Sequence, residues 1–134
     1  MNVQNIIRDD LKELTKSGTF WIDRIDYDEK NFGNVVATLR SNSQVNVRLI
    51  KDKGNFWCEL GQSEQWYFIE DVCALIGVAS AINSSDFTDY TKKTAEVINS
   101  NITLIFEAFS AKNSKATQVN IKKIAAKRAL GMFL

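Results

Sequence analysis

The feature that most constrains this chain is a double run of alternation between residues 44 and 60. Val45, Val47 and Leu49 alternate with Gln44, Asn46 and Arg48, and Phe56, Cys58 and Leu60 alternate with Asn55, Trp57 and Glu59. Period-two alternation at this length specifies two half-buried strands. Parity then restricts the connection. An even loop, either Lys53-Gly54 or Asp52 to Asn55, sets Leu49 opposite Cys58 and Val47 opposite Leu60. On the other face it sets Arg48 opposite Glu59. A three-residue loop sets Val47 against Glu59, because a one-residue slip carries a whole strand to the wrong face. The even loop is therefore expected, with Gly54 supplying a positive φ.

A short helix follows. Ile69, Val72, Cys73 and Ile76 fall at i, i+3, i+4 and i+7, Glu70 and Asp71 occupy the first turn, and Gly77 marks the end. Upstream, residues 19–27 and 35–40 are rich in strand formers and flank a turn cluster, DEKNFGN. They make a second hairpin, so four strands form an antiparallel meander. The first strand is ambiguous: Trp21, Asp23, Ile25 and Tyr27 share one face, and Phe20, Ile22, Arg24 and Asp26 share the other. Both faces are expected to be partly covered.

Helices flank the strands. Residues 2–17 carry the stripe Val3, Ile6, Ile7, Leu11 and Leu14, with Asn2 as a candidate cap. Residues 88–110 read as one long helix lined by Thr94, Ile98, Ile102, Ile105 and Phe109, capped by Ser85 or Asp86. A last helix, 118–133, is apolar on two sides: Val119, Ala126, Leu130 and Phe133 on one, Ile121, Ile124, Ala125 and Met132 on the other. Such a helix is either sandwiched or half-used for a partner. Trp66, Tyr67 and Phe68, ahead of the short helix, are expected in the core. The fold class is α+β: one domain over residues 1–134, an antiparallel β-meander of about four strands packed against N-terminal and C-terminal helices.

Chemistry is constrained mostly by what is missing. The 134 residues include no histidine and no proline, and only two cysteines. A Ser-His-Asp or Cys-His arrangement is impossible, and two isolated cysteines cannot supply a structural zinc site. None of the six glycines stands in a phosphate-binding spacing. Asp26 and Asp28 lie close together, but no EF-hand spacing surrounds them. No metal, no cofactor and no catalytic residue is expected. Cys58 and Cys73 both fall on core faces and read as reduced thiols, which suits a cytoplasmic compartment. No apolar run reaches the ~18 residues of a membrane span, the N-terminus does not read as a secretory signal, and no membrane partner is expected.

Charge is unevenly placed. Residues 111–134 carry Lys112, Lys115, Lys122, Lys123, Lys127 and Arg128 without an acid, a local charge of +6 in a chain whose net charge is +1. The remainder carries −5, and its densest acidic group is residues 23–29, DRIDYDE. Such asymmetry suggests that one end meets something acidic, and the chain's own body is the first candidate.

An amphipathic N-terminal helix, a four-stranded meander, a short acid-capped helix and C-terminal helices together resemble immunity proteins of contact-dependent growth inhibition and related polymorphic toxin systems. The likeness is carried by residues 55–77, NFWCELGQSEQWYFIEDVCALIG, a strand running into a WYFIEDV-type helix start. The resemblance implies a non-enzymatic protein that binds a cognate toxin domain and masks its active site or locks an inactive form. A nuclease is one candidate toxin, since nucleases need basic surfaces to hold nucleic acid. An acidic face suits such a partner, which selects Asp23, Asp26, Asp28 and Glu29, with Trp21 as an aromatic anchor. Two other readings remain. One is a nucleic-acid-associated regulator using Lys122, Lys123, Lys127 and Arg128, with Asn120 and Arg128 as base readers. The other is a small secretion chaperone.

Overall fold

A computed structural model of the chain describes residues 3–30, 33–80 and 82–131. The expected cap Asn2, the side chain of Val3, and Met132 and Phe133 lie outside the described residues. Among those described there are five strands: β1 (Phe20–Asp28), β2 (Asn34–Ser41), β3 (Asn46–Asp52), β4 (Asn55–Gln62) and β5 (Gln65–Phe68). They form one antiparallel sheet in the order β1-β2-β3-β4-β5. The helices are α1 (Val3–Asp10), α2 (Lys12–Thr15), α3 (Ile69–Ile76), α4 (Phe87–Ser100), α5 (Ile102–Ala108) and α6 (Ser114–Gly131). The class is α+β, as the alternation requires.

The central hairpin has the expected register: Val47 opposite Leu60, Arg48 opposite Glu59, Leu49 opposite Cys58, Ile50 opposite Trp57. Asp52 pairs with Asn55, so the loop is the two residues Lys53-Gly54, at φ +51° and +83°. Two successive positive φ values match the right-handed twist of the flanking strands. One face of the sheet is the core wall. Val35, Ala37, Leu39, Val47, Leu49, Cys58 and Leu60 are all buried there. Helices α1 and α2 pack against β1, α4 against β4, and α3 against β4 and β5, with α6 docked on α3.

Several elements differ from the sequence reading. The sheet has a fifth strand because Ser63 and Glu64 both adopt left-handed backbone, φ +51° and +64°, and return the chain beside β4. Neither residue signals a tight turn, and left-handed backbone costs a non-glycine residue roughly 1 kcal/mol or more. Close packing fits beside it: a Cβ added to Gly61 would lie 2.1 Å from the Gln65 carbonyl oxygen and 2.9 Å from the Trp66 ring. The expected single helix over 2–17 tightens at Leu11, whose amide is shared between the Ile7 and Arg8 carbonyls. The expected helix over 88–110 breaks at Asn101, where the side-chain amide donates to the Val97 carbonyl at 2.8 Å and competes with the helical ladder. Asp86, not Ser85, caps α4, accepting the Asp89 amide at 2.8 Å. Helix α6 starts at Ser114, four residues before the expected start.

Candidate functional site

Strand β1 is the sheet's edge, and its pairing with β2 shifts between Ile22 and Arg24. Before the shift Phe20 and Ile22 point to the core; after it Ile25 and Tyr27 do. Asp23 is the extra residue of a β-bulge. Trp21 and Asp26, five residues apart, would lie on opposite faces of a regular strand. The bulge puts both on the solvent side, together with Arg24 and Asp28. It also corrects the expectation that both faces of β1 are partly covered, and the face shared by Trp21 with Ile25 and Tyr27: one face is apolar throughout, and the other is polar with Trp21 44% exposed. The structure therefore brings Trp21, Asp23, Asp26 and Asp28 onto one open surface, with Glu29 exposed in the turn beside them.

The acids there are organised by arginines. Asp23 accepts from the Arg40 guanidinium at 3.2 Å, and Arg40 also meets Glu64 at 3.5 Å, so the bulge is tied to the β4–β5 turn. Arg24 donates to Asp26 at 2.8 Å. At mid-sheet Arg48 donates to Glu59 at 2.7 Å and stacks over Trp66, 4.4 Å from the ring centroid. Cross-strand pairs of this kind contribute about 0.2–1 kcal/mol each, mostly to register. Over β1 to β4 and the β4–β5 turn, five carboxylates (Asp23, Asp26, Asp28, Glu59, Glu64) stand against three guanidiniums, so this part of the face is acidic; a fourth guanidinium, Arg128, lies beside Phe68 at the β5 edge.

The same face carries residues that the sequence reading did not assign to a site. Trp57 lies opposite Ile50, and Trp66 lies opposite Gly61; both are half-buried on the outer side. All three tryptophans of the chain thus line the open face of the sheet. Phe68 is 38% exposed on that face. The expected core placement of residues 66–68 holds for Tyr67 alone, which stacks on Phe109 with centroids 6.3 Å apart. Trp57 was legible in the alternation of β4. Trp66 and Phe68 were not, because their orientation depends on β5 existing.

The basic helix is divided in two by its docking. Arg128 lies partly exposed at the edge of α3 and holds Asp71 with two hydrogen bonds, 2.8 Å from Nε to Oδ1 and 2.9 Å from Nη2 to Oδ2. Asp71 is 3% exposed, and the guanidinium also lies 5.1 Å from the Phe68 centroid. The role expected for Arg128 as a base reader is therefore corrected: the side chain is committed to α3. Lys122, Lys123 and Lys127 are exposed and enter no ion pair among the described residues.

Comparison with known proteins finds no match: no family model, no characterised protein and no solved structure is similar to this chain. A groove of about 540 Å³ runs between the β2–β3 and β4–β5 turns and the start of α6. Its lining of Asn42, Ser43, Gln44, Gln62, Ser63, Phe109, Ser110, Ala111, Ser114 and Gln118 contains no ionisable side chain and so offers no general acid or base. No cluster of three potential metal ligands occurs among the described residues. Cys58 and Cys73 are fully buried; burial, reinforced by the charge of Glu70, raises the Cys73 thiol to about 11 and lifts Cys58 well above its ordinary value. Thiols so placed stay protonated and are poor nucleophiles.

Proposed function

We propose that this protein is a binding protein that neutralises a cognate toxin domain by direct contact through the open face of its sheet. The observation that carries the reading is that three tryptophans, on β1, β4 and β5, share one outward surface with an acidic rim. Tryptophan and arginine are the residue types most enriched at binding hot spots. The acids at the β1 edge complement a basic partner surface, and such complementarity sets approach rate and partner choice more than raw affinity. A nucleic-acid-binding toxin domain has a surface of that sign. Occupying it would block the toxin without any chemistry by this chain, in line with the resemblance to immunity proteins.

The test uses the product of the neighbouring gene as the candidate toxin. Asp26→Lys with Asp28→Lys, and separately Trp21→Ala, are measured for affinity and for protection of cells. A hot-spot tryptophan is worth about 2 kcal/mol, roughly 30-fold in Kd. Loss of that order, with the fold intact by circular dichroism, supports the reading. Unchanged affinity in both variants, with loss in Lys123→Glu and Lys127→Glu, moves the interface to α6. Specific DNA or RNA binding with a steep salt dependence and no toxin binding replaces this reading with the regulator.

A further inference from the structure

Helix α6 has a second apolar side that the fold leaves uncovered. Thr117 and Ile121 are buried against the body, and Arg128 is fastened to Asp71 on the same side. At 100° per residue the opposite side is centred on Val119, Ala126 and Leu130. Val119 is 52% exposed and Leu130 65%. This row runs straight along the helix for about 16 Å, at 1.5 Å per residue. Lys115 and Lys122 flank it on one side, Lys123 and Lys127 on the other, and no acid occurs between residues 111 and 134.

We propose that this face of α6 lies on an anionic lipid surface, with the apolar row entering the headgroup boundary and the lysines reaching the phosphates. The chemistry separates this occupant from the others. A second copy of α6 would bring lysine against lysine. A nucleic-acid backbone would meet the lysines but strand Val119 and Leu130 against phosphates. A protein interface is depleted in lysine and enriched in aromatics and arginine, which describes the sheet face and not this one. Lysine is suited to a lipid surface because its flexible stem lies along apolar material while the ammonium stays in water. Helix α6 is apolar on both sides and so is not amphipathic as a whole; its free side alone sets a narrow apolar row of Val119, Ala126 and Leu130 between two lysine rows, and the lysines supply most of the attraction to an anionic surface. No described helix is long and apolar enough to cross a membrane, and the proposal requires none. The absence of a membrane partner expected above rests on spans alone and does not address contact of this kind.

The protein is sedimented with vesicles of phosphatidylcholine alone and of phosphatidylcholine mixed with phosphatidylserine, at low and high salt. Binding is expected only to the phosphatidylserine vesicles, weakening as salt rises. Removing one lysine is expected to weaken partition about fivefold, and reversing Lys122 and Lys127 together to abolish it. Leu130→Asp is expected to weaken it by a similar factor, because the apolar row takes part. Trp21→Ala, on the sheet face, is expected to leave it unchanged while lowering toxin affinity, which separates failure here from failure of the proposed function. No binding to either vesicle overturns the proposal. So does vesicle binding insensitive to Leu130→Asp accompanied by equal binding to DNA, which would make the lysines a general polyanion surface.

Discussion

Removing the guanidinium of Arg128 tests how α6 is held. Asp71 is 3% exposed, whereas the Arg128 side chain is 42% exposed. Two charge-assisted hydrogen bonds, at 2.8 and 2.9 Å, join them. Breaking a fully buried pair by deleting one partner costs about 3–5 kcal/mol, because the remaining charge is left without compensation. Here the compensation differs by partner. Arg128→Met keeps the stem but strands a buried carboxylate; the wet side of the pair lets some water in, so roughly 2–3 kcal/mol is expected. Asp71→Asn strands a guanidinium that already meets solvent. It loses one of the two hydrogen bonds, the charge on the other, and a favourable charge in the first turn of α3, about 1–2 kcal/mol. The order of the two costs is thus set by burial. Urea unfolding of both single variants and the double variant gives the costs and their coupling, expected at about 1–2 kcal/mol. Hydrogen exchange should show the loss concentrated in α6. A cost below about 0.5 kcal/mol for Arg128→Met, or a larger cost for Asp71→Asn, would refute the reasoning.

Other expectations follow from single contacts. Gly61→Ala places a Cβ against the Gln65 carbonyl, which backbone cannot yield cheaply; a loss of about 1–3 kcal/mol is expected, with the Trp66 indole signal moving in NMR spectra as β5 is displaced. Asp86→Ala removes the cap on α4 and should cost about 1 kcal/mol in thermal or urea unfolding. Cys58 and Cys73 should react with a thiol reagent only after denaturant is added, and prompt labelling of both would refute their placement. The raised thiol values also give a pH dependence. The folded state keeps protons that the unfolded chain releases, so stability is full below pH 9.0 and falls as pH rises through about 11. Urea midpoints measured across that window should decline, and a flat profile would count against burial of the thiols.

Local pattern was enough to define much of this protein. The alternation of residues 44–60 contained the register of β3 and β4 down to each pair, because side chains alternate strictly and only an even loop puts Leu49, Cys58, Val47 and Leu60 on one side. The i, i+3, i+4, i+7 stripe of α3 and a cap at Ser85 or Asp86 were legible for the same reason, each depending on residues within one or two turns; the structure chose Asp86. The acidic group of β1 was visible as composition.

What tertiary structure alone decided is where these pieces point. The bulge at Asp23 has no signature in the letters, yet it determines that Trp21 and Asp26 share a face. The β4–β5 turn forms on Ser63 and Glu64 against their own backbone preference, beside the close contact of Gly61 with Gln65 and Trp66. That turn creates β5 and moves Trp66 and Phe68 from the expected core to the open surface. The partition of α6 into one docked and one free side was also beyond the sequence. Its two apolar stripes are alike in composition, and the buried Asp71, 57 residues away, holds Arg128 against α3. Sequence specifies short-range periodicity; the choice of which face meets the body is made by contacts between residues far apart in the chain.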